Sequence, residues 1–297
     1  MPLNGLVVPA LTLFGDEGKL DLPKNSRFAR SLIDDGVRHI LVLGTSGEAT
    51  SLTAQEREAL LERAVESCTF GTDVWATILG ETTEEAVNLA DTAEATGCSV
   101  LAALPPPASS KAGEGVLERF RAIHAQSKLP LLVYRTPDPA GARPSLQDLE
   151  VLAGEGVIQG VLDTSGNAEE IAALASIGSG GLAVFGGDGA GSLEALAKGA
   201  KGIAWEAANV LPRLASRIWE AQEKGQTEKL APFLSLQDLV LKAARAAPSP
   251  SSLKFLATYL RESDEGYRAP HLPLSEEQKA RVVALVEPQK AALQEFA

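Results

Sequence analysis

The sequence predicts an α/β fold, a (β/α)8 TIM barrel with a C-terminal helical extension. Short apolar runs alternate with helical patterns from the start of the chain to about residue 210. Eight such strand–helix repeats can be counted, and eight parallel strands with intervening helices close into a barrel. From Val210 onward the strand pattern disappears, and only helical patterns follow. We therefore predict a barrel over residues 1–210 and a helical segment over residues 211–297 that packs on it.

The strands of the first half are apolar runs that stop at turn residues. Gly5–Phe14 ends in a Gly-Asp-Glu-Gly turn, and His39–Leu43 is a continuous apolar run, as in a buried parallel strand. Thr53 and Glu56 have the spacing of a capping box, which opens the following helix. The other predicted strands here are Val74–Leu79 and Ser99–Leu104, and the predicted helices are Leu22–Gly36, Thr53–Cys68, Thr83–Gly97 and Gly113–Gln126.

The same alternation continues through the second half of the barrel. The predicted strands are Leu131–Tyr134, Val157–Leu162, Leu182–Phe185 and Ile203–Trp205, and the predicted helices are Ser145–Ala153, Ala168–Ile177 and Ser192–Lys198. The helices predicted for the extension are Leu211–Lys224, Leu230–Ala246, Ser252–Arg261 and Ser275–Glu295, with an extended linker, Arg268–Leu274, before the last.

Composition excludes several classes of partner. Hydrophobic residues make up 45% of the chain and charged residues 22%, as in ordinary globular proteins. The formal net charge of -12 argues against a nucleic-acid partner, because phosphates would be repelled. No apolar run approaches the roughly 20 residues of a membrane span, so no membrane partner is expected. The N-terminal segment lacks a basic start and contains Pro9, which favours a cytoplasmic protein with free thiols at Cys68 and Cys98.

Neither a metal nor another cofactor is expected. The chain has three histidines: His39 opens a strand, His124 lies in a helix and His271 lies in the C-terminal linker. Metal sites require several such ligands to converge, and these three positions do not form a plausible cluster.

The C-terminal ends of barrel strands are the positions where chemistry is expected in this architecture. Gly44-Thr45-Ser46-Gly47-Glu48 follows the second strand, and its N–H groups and hydroxyls can hold a carboxylate or phosphate. A plain strand-to-helix turn would be rich in glycine too. Tyr134 ends the fifth strand as either a proton relay or a packed aromatic residue. Arg135 follows it, either to meet an anionic ligand or as a surface residue of the loop.

The order and spacing of several motifs resemble the dihydrodipicolinate synthase / N-acetylneuraminate lyase family. The resemblance runs over nearly the whole chain and implies a barrel that assembles as a homodimer or homotetramer. The motifs are GLVVPALTLF, LGTSGEATSLTAQER, LLVYRTP, GVLDTSGN, FGGDG and GAKGIAWEAANVLP, followed by the linker RAPHLPLS.

The resemblance also implies a chemistry that this chain lacks in part. Members of the family form a Schiff base between a lysine on the sixth strand and a 2-oxo acid. A tyrosine on the fifth strand shuttles protons, and the turn after the second strand holds the ligand's carboxylate. The tyrosine corresponds to Tyr134, but the lysine position holds Leu162, which cannot form an imine. No lysine occurs between Lys128 and Lys198, so no small shift of register restores one.

Two further departures accompany the missing lysine. The loop after the fourth strand is expected to carry tyrosines, but here it reads Pro105-Pro106-Pro107, with no hydroxyl until Ser109. The loop after Tyr134 carries Pro139 where synthases have an arginine. These departures weaken the alternative that Leu162 is an isolated substitution in a normal aldolase.

Three other interpretations stay open at this point. The chain is a diverged member that binds a small carboxylate or 2-oxo acid without Schiff-base chemistry, an active lyase by another route, or a non-catalytic subunit. Trp205 and Glu206 end the last strand and could reshape the barrel mouth. We expect Leu162 to point into the barrel mouth beside Tyr134, with no lysine amine within reach of Thr45 and Ser46. Tyr134 is the residual catalytic candidate, and the candidate ligand-binding residues are Gly44, Thr45, Ser46, Arg135, Gly187 and Ala204.

Overall fold

Eight parallel strands form a closed barrel in chain order, which confirms the predicted α/β barrel. The computed structural model describes residues 3–107, 115–136, 143–177, 181–187, 191–226, 228 and 230–297. The strands are β1 (Gly5–Pro9), β2 (His39–Val42), β3 (Asp73–Ile78), β4 (Val100–Ala103), β5 (Leu131–Arg135), β6 (Gly160–Asp163), β7 (Ala183–Gly186) and β8 (Gly202–Ala204).

Helices follow the strands, and five more helices make up the C-terminal extension. Those of the barrel are α1 (Leu22–Asp34), α2 (Ala54–Ser67), α3 (Thr83–Thr96), α4 (Val116–Gln126), α5 (Leu146–Gly154), α6 (Ala168–Ala175) and α7 (Gly191–Ala197). Those of the extension are α8 (Pro212–Glu223), α9 (Ala231–Ala244), α10 (Ser251–Arg261), α11 (Glu276–Val286) and α12 (Lys290–Gln294). The capping box at the start of α2 is present: the Glu56 N–H donates to the Thr53 hydroxyl over 3.2 Å, and Thr53 N–H donates back to the carboxylate over 3.0 Å.

The chain divides into two compact units. The first combines Met1–Gly5 with Asp73–Ala204, and the second combines Leu6–Thr72 with Trp205–Ala297. Within the second unit the extension is tied to the start of the chain, because Arg261 Nη2 lies 3.0 Å from Asp35 Oδ2. The domain boundary at residue 210 stays a prediction. The extension nevertheless shares a compact unit with α1 and α2.

Aromatic side chains fill the core of the first unit. Trp75 and Phe185 meet edge to face, with ring centroids 5.0 Å apart and an interplanar angle of 82°. Gly202 makes room for this packing, because a Cβ there would lie 2.3 Å from Phe185 Cε1. Both rings are buried, so the strands enclose a packed core.

The first strand is shorter than predicted. It ends at Pro9, whereas the apolar pattern predicted a strand to Phe14. Ala10 N–H still donates to the Leu41 carbonyl of β2 over 2.9 Å. Beyond Ala10, two asparagine side chains take backbone donors: Leu11 N–H donates to Asn209 Oδ1 over 3.1 Å, and Leu13 N–H donates to Asn25 Oδ1 over 2.9 Å. The segment is therefore buried, as its composition indicates, although its pairing with β2 ends at Ala10.

The sixth strand begins later and ends later than predicted. Val157 and Ile158 donate to the Leu152 carbonyl at the end of α5, over 2.9 and 3.4 Å, so they belong to the helix ending. Asp163 is the last residue of β6 rather than the start of a turn. The last helix, predicted as continuous from Ser275 to Glu295, is interrupted at the 3-10 segment that contains Pro288.

The described part of the chain contains no helix that combines the length and apolar character needed to span a membrane. No group of three or more His, Cys, Asp or Glu side chains within it is placed to hold a metal ion. Neither Cys68 nor Cys98 forms a disulfide; Cys98 is buried and Cys68 is half-buried.

Candidate functional site

The turn after β2 is tight and largely buried. Gly47 N–H donates to the Gly44 carbonyl over 3.0 Å, and Glu48 N–H donates to the Thr45 carbonyl over 3.1 Å. The hydroxyl of Thr12 donates to the Gly47 carbonyl over 2.7 Å and fixes the turn from outside. The Ser46 side chain is buried, whereas Thr45 is exposed. Two of the N–H groups expected to hold an anion are thus engaged within the turn, which leaves the hydroxyls as its prominent polar groups.

Ser46 is engaged by a carboxylate of the same chain. Its hydroxyl donates a hydrogen bond to Glu206 Oε1. Burial raises the pKa of Glu206, and the hydroxyl of Ser46 and the charge of Arg245 oppose that shift. The sequence analysis left the role of Glu206 open. The structure places its carboxylate at the turn that was expected to hold the carboxylate of a ligand.

Glu48, the last residue of the turn, forms a fully buried ion pair with Lys254 of α10. Lys254 Nζ also donates to the Gly266 carbonyl over 2.7 Å. It lies over the rings of Phe14 and Tyr267, 4.9 and 5.4 Å from their centroids. Burial lowers the pKa of Lys254, while Glu48 acts in the opposite direction.

Lys254 was missed by the sequence analysis, which assigned no role to the lysine in this helix. Its signal is the apolar context Leu253-Lys254-Phe255-Leu256, where a lone charge indicates a buried partner. Lys254 contacts Glu48 of the same turn. The expectation that no lysine amine lies within reach of Thr45 and Ser46 stays a prediction.

The ends of β5 and β6 present the pair expected from the sequence. Tyr134 and Leu162 are partners in the register of the two parallel strands, as predicted, and Leu162 is in turn the partner of Phe185 in β7. Tyr134 is 2% exposed and Leu162 is fully buried. The position that the family resemblance assigns to an amine is therefore an apolar part of the core.

A charge cluster directly follows this pair along both strands. Arg135 Nη1 lies 2.9 Å from Asp163 Oδ2, and Arg135 Nη2 lies 2.7 Å from Glu170 Oε1. Arg143 Nη2 completes the cluster at 2.7 Å from Glu170 Oε2. Arg135 is only 4% exposed, which rules out its description as a loop surface residue. Its charge is balanced inside the protein, and its role toward a ligand stays a prediction.

The other candidate ligand residues lie at strand ends and are packed. Gly187 N–H donates to the Asp163 carbonyl over 2.6 Å, and a Cβ at Gly187 would lie 2.3 Å from Thr164 Cα. The backbone of Thr164 therefore lies too close to position 187 for any residue with a Cβ atom. Ala204 is buried as the last residue of β8. Their ligand roles stay predictions.

Trp205 is almost fully buried. It lines a small cavity with Ala207, Ala208 and residues of the extension: Leu211, Leu214, Ala215, Ile218 and Gln237. This placement indicates that Trp205 fills the core rather than closes a pocket.

Some residues of the predicted motifs lie outside the described part of the chain: Ser109, Pro139 and the Asp188-Gly189 pair.

Comparison with known proteins covers almost the entire chain. The model of the dihydrodipicolinate synthetase family matches residues 2–289. The 4-hydroxy-tetrahydrodipicolinate synthase of Prochlorococcus marinus is 30% identical over 287 residues, which are 96% of this chain and 95% of that protein. The synthase of Bacillus subtilis is 27% identical over 281 residues, with coverage of 94% and 97%.

Solved structures give the same result. The crystal structure of a dihydrodipicolinate synthase from Bacillus anthracis has a TM-score of 0.87 and 25% identity, and covers 97% of this chain and 98% of that chain. The sialic acid aldolase of Ruminococcus gnavus shares the fold, with a TM-score of 0.88, 18% identity and coverage of 99% of both chains. Taken with the barrel and the turn after β2, these matches show that the chain belongs to the dihydrodipicolinate synthetase family.

Proposed function

We propose that this chain binds a small carboxylate or 2-oxo acid without forming a Schiff base and is therefore not a class I aldolase. The observation that carries this proposal is Leu162, buried in register with Tyr134 where the family resemblance requires a lysine. An imine needs a primary amine, and the hydrocarbon side chain of leucine offers neither a nucleophile nor a titratable proton.

Lys254 does not fill this role. A nucleophilic lysine must present a neutral amine with its lone pair directed at the carbonyl carbon of the ligand. The Lys254 ammonium is instead fully buried, paired with Glu48 and bonded to the Gly266 carbonyl. Both contacts occupy N–H donors of Nζ and hold the amine within the protein, which supports a structural role.

The binding part of the proposal depends on the turn after β2. Ser46 and Thr45 retain hydroxyls in a turn whose backbone is fixed by internal hydrogen bonds. Pyruvate is the natural probe, because the dihydrodipicolinate synthase of Acinetobacter baumannii, 22% identical to this chain, was solved in complex with it. Self-association as a homodimer or homotetramer is also part of the proposal, and light scattering in solution tests it.

Borohydride trapping tests the absence of Schiff-base chemistry. The protein is incubated with pyruvate, reduced with borohydride and weighed intact by mass spectrometry, with the Bacillus subtilis synthase treated in parallel. We expect the mass of this chain to stay unchanged. A reduced pyruvate adduct would refute the proposal, and peptide mapping would then show whether Lys254 carries it.

Thermal denaturation tests the non-covalent site. Pyruvate should raise the melting temperature, because a ligand that binds only the folded state stabilises it by mass action. Methyl pyruvate, which lacks the charged carboxylate, should raise it less. If no 2-oxo acid stabilises the chain, the binding proposal fails and the role of a non-catalytic subunit becomes the better explanation.

A further inference from the structure

We propose that Glu206 is an internal carboxylate ligand of Ser46, which an external carboxylate must displace in order to bind. This inference rests on the proposed function and makes Glu206 the residue that sets the affinity of the turn for carboxylates. Nothing in the motif Gly44–Glu48 itself indicates such a competitor. The two residues lie 160 positions apart and are joined directly by the hydrogen bond between their side chains.

The backbone that carries Glu206 is firmly anchored. Trp205 N–H donates to the Val7 carbonyl over 3.0 Å, which fixes the entry into the 3-10 segment Glu206–Asn209. Asn209 Nδ2 donates to the Pro9 carbonyl over 2.8 Å and to the Glu206 carbonyl over 2.9 Å. Asn209 is fully buried, and its own carbonyl accepts from Arg261 Nη1 over 3.1 Å. The carboxylate is therefore presented to Ser46 by a fixed segment and not by a freely moving loop.

Hydrogen-bond chemistry makes the two carboxylates exclusive. A serine hydroxyl has a single proton, so Ser46 can donate to Glu206 or to a ligand, but not fully to both. A ligand carboxylate at Ser46 would also face the carboxylate of Glu206, and like charges at short range in a partly buried site repel each other. The neighbouring Lys254 does not relieve this repulsion by itself, because its charge is already paired with Glu48.

Two substitutions of Glu206 test the inference. Glu206→Ala removes the competitor, and Glu206→Gln replaces it with an amide of the same shape that can donate a hydrogen bond. We expect Glu206→Ala to bind pyruvate about tenfold more tightly than the unaltered chain, measured by isothermal titration calorimetry at neutral pH. Glu206→Gln should gain less, because its amide oxygen can still accept from Ser46 although its negative charge is gone. Glu66→Gln, which changes the net charge equally at an exposed ion pair on α2, should leave the affinity unchanged.

A double variant tests whether the increase in pyruvate affinity depends on Ser46. Ser46→Ala/Glu206→Ala lacks the hydroxyl, so its affinity for pyruvate should not exceed that of the unaltered chain. Unchanged or weaker pyruvate binding by both Glu206 variants would overturn the inference, and so would a gain that persists without Ser46. Binding by none of the variants would overturn it too, because a released Ser46 would then be no ligand for a carboxylate. The proposed function fails by signals from the unaltered chain alone: a covalent adduct, or no stabilisation by any 2-oxo acid. Melting curves of every variant establish that it is folded.

Discussion

The turn after β2 and the end of β5 and β6 are two strand ends with similar electrostatics and different chemistry. Each contains a buried ion pair, Glu48 with Lys254 in one and Arg135 with Asp163 in the other. The turn keeps the hydroxyl of Ser46 beside its ion pair. The end of β6 instead has Leu162 next to its ion pair. The proposed function therefore assigns ligand binding to the turn after β2 and no covalent chemistry to the end of β6.

The buried ion pairs help to fix the shape of both strand ends. The charges of such a pair hold each other in place, and removal of one partner leaves the other uncompensated in a medium of low polarity. Arg135 and Asp163 are direct partners in the β5–β6 register, so their attraction reinforces the ladder. The fold at this end does not depend on the residue at position 162 being a lysine.

The largest effect is expected at the turn. Lys254→Met should lower the free energy of unfolding by about 4 kcal/mol, because it leaves the fully buried Glu48 carboxylate without its partner. Urea denaturation followed by circular dichroism measures the change. The double variant Glu48→Gln/Lys254→Met should recover a large part of the loss. A single variant as stable as the unaltered chain would show that the pair does not hold the turn.

The ion pair at the end of β5 and β6 should contribute somewhat less to the free energy of unfolding. Arg135→Met leaves Asp163 buried, but Arg143 Nη2 lies 3.6 Å from the same carboxylate and compensates part of the charge. We expect a loss of about 3 kcal/mol in the same urea assay. Arg143→Met is the matched control, and its loss should be about 1 kcal/mol because this arginine is partly exposed. Equal losses for the two variants would contradict the assignment of Arg135 as the central cation.

A pH titration should reveal a smaller contribution near the turn. Hydrogen bonds from Arg268 hold the pKa of Glu56 at about 2, below its usual 4.5. Because the folded pKa is the lower one, the stabilisation is present above about pH 4.5 and is lost as the pH falls toward about 2. The pair is partly exposed, so the loss should be about 1 kcal/mol. Glu56→Gln should remove this part of the pH dependence, measured as the melting temperature between pH 6 and 3.

Strand and helix positions could be predicted because their signals are local. Apolar runs identify buried parallel strands, and the Thr53–Glu56 capping box identifies the start of α2. The first strand was extended too far because its termination depends on Asn25 and Asn209, which take the backbone donors of Leu11 and Leu13. No pattern within Gly5–Phe14 shows that.

The charged and hydrogen-bonded pairs at the site could not be predicted because they too join residues that are distant in the sequence. Asp163 has the composition of a turn residue, and only Arg135, from the neighbouring strand, explains its burial. Ser46 and Glu206 lie 160 residues apart, so their hydrogen bond follows from the fold alone. The prediction that Leu162 stands at the lysine position needs only the family pattern and the position of Tyr134, and it stays a prediction.

The division into two units has a consequence for synthesis on the ribosome. The first unit is almost contiguous, Asp73–Ala204, whereas the second combines Leu6–Thr72 with Trp205–Ala297. Helix α1 emerges early, but Arg261, which pairs with its C-cap residue Asp35, is translated 226 residues after that aspartate. The contact of Asp35 with α10 can therefore form only after Arg261 has left the exit tunnel, whereas the packing of α1 on α2 needs no later part of the chain.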